Sequence, residues 1–301
     1  MPINATTRFC AVLGQPIKHS ASPAMHNAAF AALGLNWCYG AFEVHPDHLR
    51  AAIEGAKALR YAGLNLTVPH KMLAVGMMDV LDPAAEVWGA VNTVRFEGRD
   101  GSGNWLPLHQ FGEAQPESVR SCGFNTDAEA IIRAASEDLA MDWRGARVLL
   151  LGAGGAGRVA ALKLSEQPIA ELFLVNRTGS KAAGLADEIR RRNPGLKVEL
   201  GYPSGDVDLL MNATSLGLNE ADGLPLDEGR FPVRQARAVF DMIYRPALTP
   251  LLQAAQAAGC RKANGLGMLL YQGAAAFELW TGQIAPVAVM RAALEANIYG
   301  L

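Results

Sequence analysis

Apolar positions along this chain alternate between two periods, and the switches between them divide it into elements. RFCAVLG (8–14) is a short apolar run closed by glycine, which predicts a strand. Ser22-Pro23 has the form of an N-cap followed by proline, so an alanine-rich helix is expected to about Leu33. NWCYGAFEV (36–44) reads as a strand, HLRAAIEGAKAL (48–59) as a helix, and GLNLTV (63–68) as a strand again. Strand and helix in alternation predict a mostly parallel α/β sheet.

The alternation breaks between Asn92 and Asn125. VRFEGRDGSGNWLPLHQF (94–111) reads as two short strands joined around Asp100–Asn104, and EAQPESVRS (113–121) as loop. This segment is either a lid or an exposed hairpin. From Trp143 a second βαβ series begins. ARVLLLGAGGAGRVAALKL (146–164) predicts strand, glycine turn and helix, and ELFLVNR, KVEL, VDLLMNAT and ARAVFDMIY supply further strands. Helices over 250–258 and 267–281 and a short tail helix close the chain.

Composition narrows the class. Half of the 301 residues are apolar and 19% are charged, a globular balance. Net charge is −2 without a Lys/Arg cluster, so nucleic acid is not the expected partner. Cys10, Cys38, Cys122 and Cys260 are widely spaced with no CxxC, as in reduced thiols of a cytosolic protein. No signal-peptide pattern starts the chain, and no apolar run reaches the ~18 residues of a membrane helix. A cytoplasmic protein without a membrane partner is expected. His45-Pro-Asp-His48 reads as a loop leading into a helix, and no metal is expected.

Candidate chemistry starts at Gly152-Ala153-Gly154-Gly155-Ala156-Gly157. This GxGxxG follows the apolar run Val148–Leu151 and opens a helix, the context a dinucleotide-binding turn requires. Gly152 allows the turn, Gly154 the approach of a pyrophosphate, and Gly157 close helix–strand packing; the phosphates then meet the helix N-terminus. An NAD site would carry Asp or Glu about 20 residues further on. Here Asn176-Arg177-Thr178 stands instead, with Lys181 close behind, which suits the 2′-phosphate of NADP(H).

Other polar residues gather at predicted strand ends. Asn65 and Thr67 share one face of their strand, and Lys71 follows just beyond Pro69. Asn92-Thr93 ends another element, and Asn125-Thr126-Asp127 precedes the helical run AEAIIRAA. Each has a structural alternative. Lys71 by itself reads as a solvated strand-end charge. Thr126 with Glu129 makes a capping box, and Asp127 complements the helix dipole. Gln272, one turn after Met268 in MLLYQGAAAFELW, reads as a core amide.

Taken together, these stretches resemble shikimate dehydrogenases over nearly the whole chain. The pieces are GQPIKHSASPAMHN (14–27), NLTVPHK (65–71), GAVNTV (89–94), GFNTDA (123–128), GAGGAG (152–157), NRTGSKA (176–182), NATSLG (212–217), DMIYRPALTPLL (241–252) and GLGMLLYQGAAAFELWTG (265–282). The resemblance implies two α/β domains separated by a cleft: a substrate-binding domain with a mostly parallel sheet (1–125 and 266–301) and an NADP-binding Rossmann domain (126–265). It implies reversible NADPH-dependent reduction of 3-dehydroshikimate to shikimate, in aromatic amino-acid biosynthesis, by a monomer or homodimer.

By the same resemblance Lys71 and Asp127 match the catalytic pair. Ser20 and Ser22, with Tyr244, match the carboxylate site, and Thr67, Asn92 and Gln272 surround the ring hydroxyls. Gly152, Gly154, Gly155, Ala156, Gly157, Asn176, Arg177, Thr178, Lys181, Thr214, Met242, Gly265 and Met268 match the cofactor site, Met268 beside the nicotinamide. Three departures stand out. The segment 95–121 is longer than the family's, Ala128-Glu129-Ala130 replaces a glycine-containing stretch, and Gly157 stands where alanine is common, an exchange expected to be harmless. Within the same class the rival is a quinate or dual quinate/shikimate dehydrogenase; quinate-using relatives tend to carry threonine for the second serine and to prefer NAD, so Ser22 and the Arg177/Lys181 turn favour shikimate with NADP. The rival outside catalysis is an NADP-binding sensor that kept the fold.

Overall fold

Short apolar strands bounded by turn residues form two separate sheets in the computed structural model, which describes residues 3–112, 114–219 and 221–300. In chain order the first elements are β1 (Arg8–Gly14), α1 (Ser22–Ala32), β2 (Trp37–Glu43), α2 (Leu49–Ala58), β3 (Gly63–Leu66) and α3 (His70–Leu73). Then come β4 (Val80–Leu81), α4 (Pro83–Trp88), β5 (Thr93–Arg99), β6 (Trp105–Pro107), β7 (Val119–Phe124) and α5 (Asp127–Leu139). The second series is β8 (Arg147–Leu151), α6 (Gly155–Ser165), β9 (Glu171–Val175), α7 (Gly179–Arg192), β10 (Lys197–Leu200), β11 (Val207–Asn212), β12 (Ala236–Asp241), α8 (Pro250–Ala257) and β13 (Arg261–Ala263). α9 (Leu266–Thr281) and α10 (Val287–Tyr299) end the chain.

Two units result. One takes in the chain to Asp127 and resumes at Leu270; the other runs Ala128–Leu269. The chain passes between them within α5 and returns within α9.

In the first unit the strand order is β2-β1-β3-β5-β7-β4, with β6 on β5. β1 pairs in parallel with β2 and β3, and β4 with β7, whereas β5 runs antiparallel to β3, β7 and β6. One face of this sheet buries Leu64, Leu66, Val94 and Phe96 against Leu49 and Ile53 of α2. α10 packs on α1.

The segment 95–121 is a hairpin. β6 pairs with Glu97–Arg99, four to six residues beyond Thr93, or roughly 13–20 Å along the strand. Leu108 then tucks into the core, with Phe111 packed against it. Of the expected loop 113–121, Glu113 lies outside the described residues and Val119–Ser121 belongs to β7. The reason is a set of polar partners that the local sequence does not reveal. Ser121 donates from its N–H and hydroxyl to Asp79 at 2.7 and 2.9 Å, and Arg120 Nε donates to Glu97 at 2.8 Å. Glu97 is itself buried between Arg95 and Arg120. Burial alone would raise its pKa, but hydrogen bonds from the two guanidiniums outweigh that and hold it below the usual carboxylate range.

The second unit's sheet is wholly parallel, in the order β10-β9-β8-β11-β12-β13. Its central strands are continuous apolar runs because both faces are covered. α8 supplies Leu251, Leu252 and Ala255 to one side. No described helix is long and apolar enough to cross a membrane.

Candidate active site

β3 delivers its polar residues to a buried amide network. Asn65 Nδ2 donates to the Asn92 carbonyl at 3.2 Å and to Thr93 Oγ1 at 3.0 Å, while its Oδ1 accepts from the Tyr39 hydroxyl at 2.7 Å. Asn92 Oδ1 accepts from the Thr126 N–H at 2.7 Å, so its Nδ2 faces Thr126 Oγ1 at 2.9 Å and Gln272 Oε1 at 3.5 Å. Thr126 Oγ1 also donates to the Gln272 carbonyl at 3.1 Å. Residues from β3, β5, the start of α5 and α9 are thereby locked in one orientation.

The capping box expected at Thr126–Glu129 does not form. The Thr126 hydroxyl is committed to this network and Glu129 pairs with Lys163, while Asn125 Oδ1 accepts from the Asp127 N–H at 3.1 Å. That leaves the Asp127 carboxylate, 12% exposed, for Lys71: Nζ lies 2.6 Å from Oδ2. The Lys71 carbonyl accepts from the Val91 N–H at 2.8 Å, which ties the lysine backbone beside Asn92. Lys71 is 32% exposed, so its ammonium is paired yet reachable by a ligand. A partly buried ion pair of this kind can move a proton to or from an oxygen without a fresh charge being buried.

Ser20 and Ser22 belong to the same unit. Ser22 is the first residue of α1 rather than its cap; Ala21 holds the cap position and Ser20 Oγ accepts from the Ser22 N–H at 3.4 Å. Thr67 is held by its N–H to the Leu13 carbonyl at 3.0 Å, and a Cβ at Gly14 would approach its Cγ2 to 2.4 Å. Tyr39, Asn65, Thr93 and Thr126 complete the network, and the sequence reading named none of them among its site residues. The alternation that put Asn65 beside Thr67 was the available signal for one of them.

The second unit carries the remaining candidates. In its parallel sheet β9 lies on one side of β8 and β11 on the other, so the chain reverses direction of progress at β8, where such folds bind nucleotides. Gly152 follows β8 with φ +107°, which favours glycine. A Cβ on Gly157 would meet the Gly152 carbonyl at 2.2 Å, whereas Gly154 and Gly155 face open space. That is the distribution a phosphate cradle needs: tight where helix and strand pack, bare where a ligand approaches. Ala156 lies in the first turn of α6.

At the end of β9, Asn176 Oδ1 accepts from the Ala153 N–H at 3.0 Å and its Nδ2 donates to the Thr178 carbonyl at 2.8 Å. No carboxylate occupies the ribose position. Arg177, Thr178 and Lys181 are exposed at the N-terminus of α7, while Glu188 further along that helix is committed to Arg158 and Arg192 at 2.7 and 2.8 Å. Two free-standing cations at a positive helix end fit the 2′-phosphate of NADP(H).

Thr214 packs beside Gly152 and its hydroxyl donates to Asn212 Oδ1 at 2.8 Å. Met242 donates from its N–H to the Asn212 carbonyl at 3.0 Å, and Gly265 fits only as glycine, since a Cβ would meet the Met242 carbonyl at 2.1 Å. Buried Asp241 accepts from Thr249 Oγ1 at 2.6 Å and from Asn212 Nδ2 at 3.0 Å, bracing both turns. Tyr244 and Met268 belong to this unit too, both partly buried. Among the described residues no group of three or more His, Cys, Asp or Glu is placed to hold a metal.

A parallel sheet with a bare glycine cradle and a basic turn, carried in one chain with a Lys–Asp pair set among amides, defines a dinucleotide-dependent oxidoreductase. Comparison with known proteins identifies which. The shikimate dehydrogenase substrate binding domain matches residues 12–94, the shikimate/quinate 5-dehydrogenase domain 133–215, and the shikimate 5'-dehydrogenase C-terminal domain 265–295. Shikimate dehydrogenase (NADP(+)) of Methanopyrus kandleri is 41% identical over 300 residues, spanning 97% of this chain and 96% of that one. A crystal structure of shikimate dehydrogenase in complex with NADP+ superimposes with TM-score 0.82 at 34% identity, covering 99% of this chain and 98% of that one. Quinate dehydrogenase from Corynebacterium glutamicum in complex with NAD has the same fold, with TM-score 0.78, 28% identity and coverage of 95% and 98%. The chain belongs to the shikimate dehydrogenase family.

Proposed function

We propose that this protein reduces 3-dehydroshikimate to shikimate, reversibly, with NADP(H), the step that serves aromatic amino-acid biosynthesis. The observation that carries this reading is the Lys71–Asp127 pair, held at 2.6 Å beside the Asn92–Gln272 network. NADPH, held by Gly152–Gly157, Asn176, Arg177, Thr178 and Lys181, supplies the hydride when bound. As the ketone carbon gains it, negative charge builds on oxygen, and Lys71 stabilises that charge and delivers the proton. In the reverse direction Lys71 takes the proton from the hydroxyl. Asp127 holds the ammonium in place and balances its charge in either direction. Ser20, Ser22 and Tyr244 receive the carboxylate, and Thr67, Asn92 and Gln272 the ring hydroxyls. Thr214, Met242, Gly265 and Met268 line the nicotinamide side of the cofactor.

Substrate and cofactor choice are tested together. NADP+ and NAD+ reduction is followed at 340 nm with shikimate and with quinate, with saturation curves for all four pairs. Shikimate with NADP+ is expected to dominate kcat/KM. Dominance of quinate would reassign the carboxylate end, and dominance of NAD+ would reassign the 177–181 turn. Activity with neither acid would support a different substrate admitted by the 95–121 segment, or the non-catalytic reading.

A further inference from the structure

The second unit buries a carboxylate that no expected role uses. Asp241, the last residue of β12, is fully buried, and among the described residues no cation pairs with it. Its partners are all neutral donors. Oδ1 accepts from Asn212 Nδ2 at 3.0 Å and from the Ile243 N–H at 3.1 Å, and Oδ2 accepts from Thr249 Oγ1 at 2.6 Å. Asn212 is fixed in this orientation because its own Oδ1 takes the Thr214 N–H at 3.0 Å. Thr249 caps α8, its Oγ1 accepting from the Leu252 N–H at 3.3 Å, so its proton points to Asp241. Hydrogen counting therefore selects the carboxylate form. A proton on Oδ1 would face two N–H donors, and one on Oδ2 would displace the buried Thr249 proton, which has no other acceptor among the described residues. Burial lifts the Asp241 pKa above the ordinary carboxylate value, and the hydrogen bonds from Thr249, Ile243 and Asn212 limit that rise. The positive end of α8 makes the charge tolerable there.

This charge stands at one particular place on the sheet. The basic turn follows β9 and the glycine cradle follows β8, so a dinucleotide laid across the strand ends carries its other half over β11 and β12. Asn212 and Asp241 are the last residues of those two strands and lie opposite each other in register. A Cβ on Gly152 would touch Ala213 and Thr214, which puts the end of β11 beside the cradle. Loss of hydride takes a nicotinamide ring from neutral to singly positive. We infer that Asp241 is a charge-setting residue of this half of the cofactor site: its buried carboxylate favours the positive, oxidised ring over the neutral, reduced one, and so eases departure of hydride toward the ketone. This rests on the NADP(H)-dependent reaction proposed above. Lys71 answers the negative charge that builds on the substrate oxygen, and Asp241 the positive charge left on the ring.

Asp241→Asn keeps the shape and removes the charge. Dissociation constants for NADP+ and NADPH, measured by isothermal titration calorimetry without substrate, are expected to change unequally. The ratio Kd(NADP+)/Kd(NADPH) should rise about tenfold, the scale of one unit charge acting through protein interior. Thr249→Val removes a hydrogen bond from the same brace and keeps the carboxylate, so it should leave that ratio at the wild-type value. A purely structural role for Asp241 weakens both cofactors by the same factor, and that result overturns the inference alone. A ratio shifted as far by Thr249→Val overturns it too. Should Asp241→Asn fail to fold, Asp241→Ser, which leaves room for a water among the same donors, carries the same ratio test. A wild type that binds both nucleotides without turning over shikimate overturns the proposed substrate, and the ratio then decides the inference by itself. A wild type that binds neither nucleotide overturns the cofactor reading and the inference with it.

Discussion

Lys71 illustrates how little a single residue says about itself. Its own stretch, a strand end after proline, fits a solvated charge, and what sets it apart from one is a carboxylate 56 positions away, delivered by the first turn of α5. Lys71→Ala is expected to lower kcat by roughly a thousandfold, the usual scale for removing a general acid, while NADPH binding measured by fluorescence titration stays intact. Asp127→Asn should cost less, because the lysine survives and loses only its orienting partner. The basic turn makes a separate prediction. Arg177→Ser with Lys181→Ala should weaken NADP+ by about 100-fold, two charge-assisted contacts, and leave KM for NAD+ nearly unchanged. Equal losses for both cofactors would place the 2′-phosphate elsewhere.

At the level of elements, spacing decides more than residue type. The glycine loop is open at Gly154 and Gly155 and closed at Gly157, where the backbone of Gly152 leaves no room for a methyl group. Glycine at 157, expected to be an interchangeable alternative to the family's alanine, is here required by that contact. Gly157→Ala should displace the β8–α6 turn at a cost of about 1–3 kcal/mol, lowering Tm and raising the Kd for NADPH. An unchanged Tm and Kd would mean that the turn relaxes freely. The hairpin of 94–107 was legible from its turn residues, whereas the first half of β7 was not. Arg120 and Ser121 read as loop because their satisfaction comes from Glu97 and Asp79 on other elements.

For the molecule as a whole, the clearest pH-dependent term is His26. It is fully buried, both ring nitrogens are without a hydrogen-bond partner, and burial pushes its pKa down to about 3. An unfolded chain protonates this histidine near its ordinary value of about 6.5, and the native state does not. Its penalty is therefore absent above that pH and grows as pH falls toward 3, by at most about 1.4 kcal/mol per unit. Thermal unfolding from pH 7.5 to 4.5 should show a falling Tm with this histidine's share in it. His26→Phe, which keeps a flat ring against Tyr39, should make the decline shallower; an identical slope would assign the acid sensitivity to other groups.

The sequence by itself determined the alternation of strands and helices, the nucleotide turn with its cofactor preference, and the set of polar residues available at strand ends. Those features are local: a period of two or 3.6, a glycine spacing, a basic turn after a strand. It also carried a family resemblance strong enough to name their roles. Tertiary structure alone decided which polar groups meet and which way their hydrogens point. Lys71 with Asp127, Asn65 with Asn92, and Tyr39 with Asn65 are pairings across distant elements, governed by sheet order and by burial that drives most donors to find an acceptor. Tyr39 is the plainest case. In the sequence it is one aromatic residue of an edge strand, and only the fold sets its hydroxyl against Asn65.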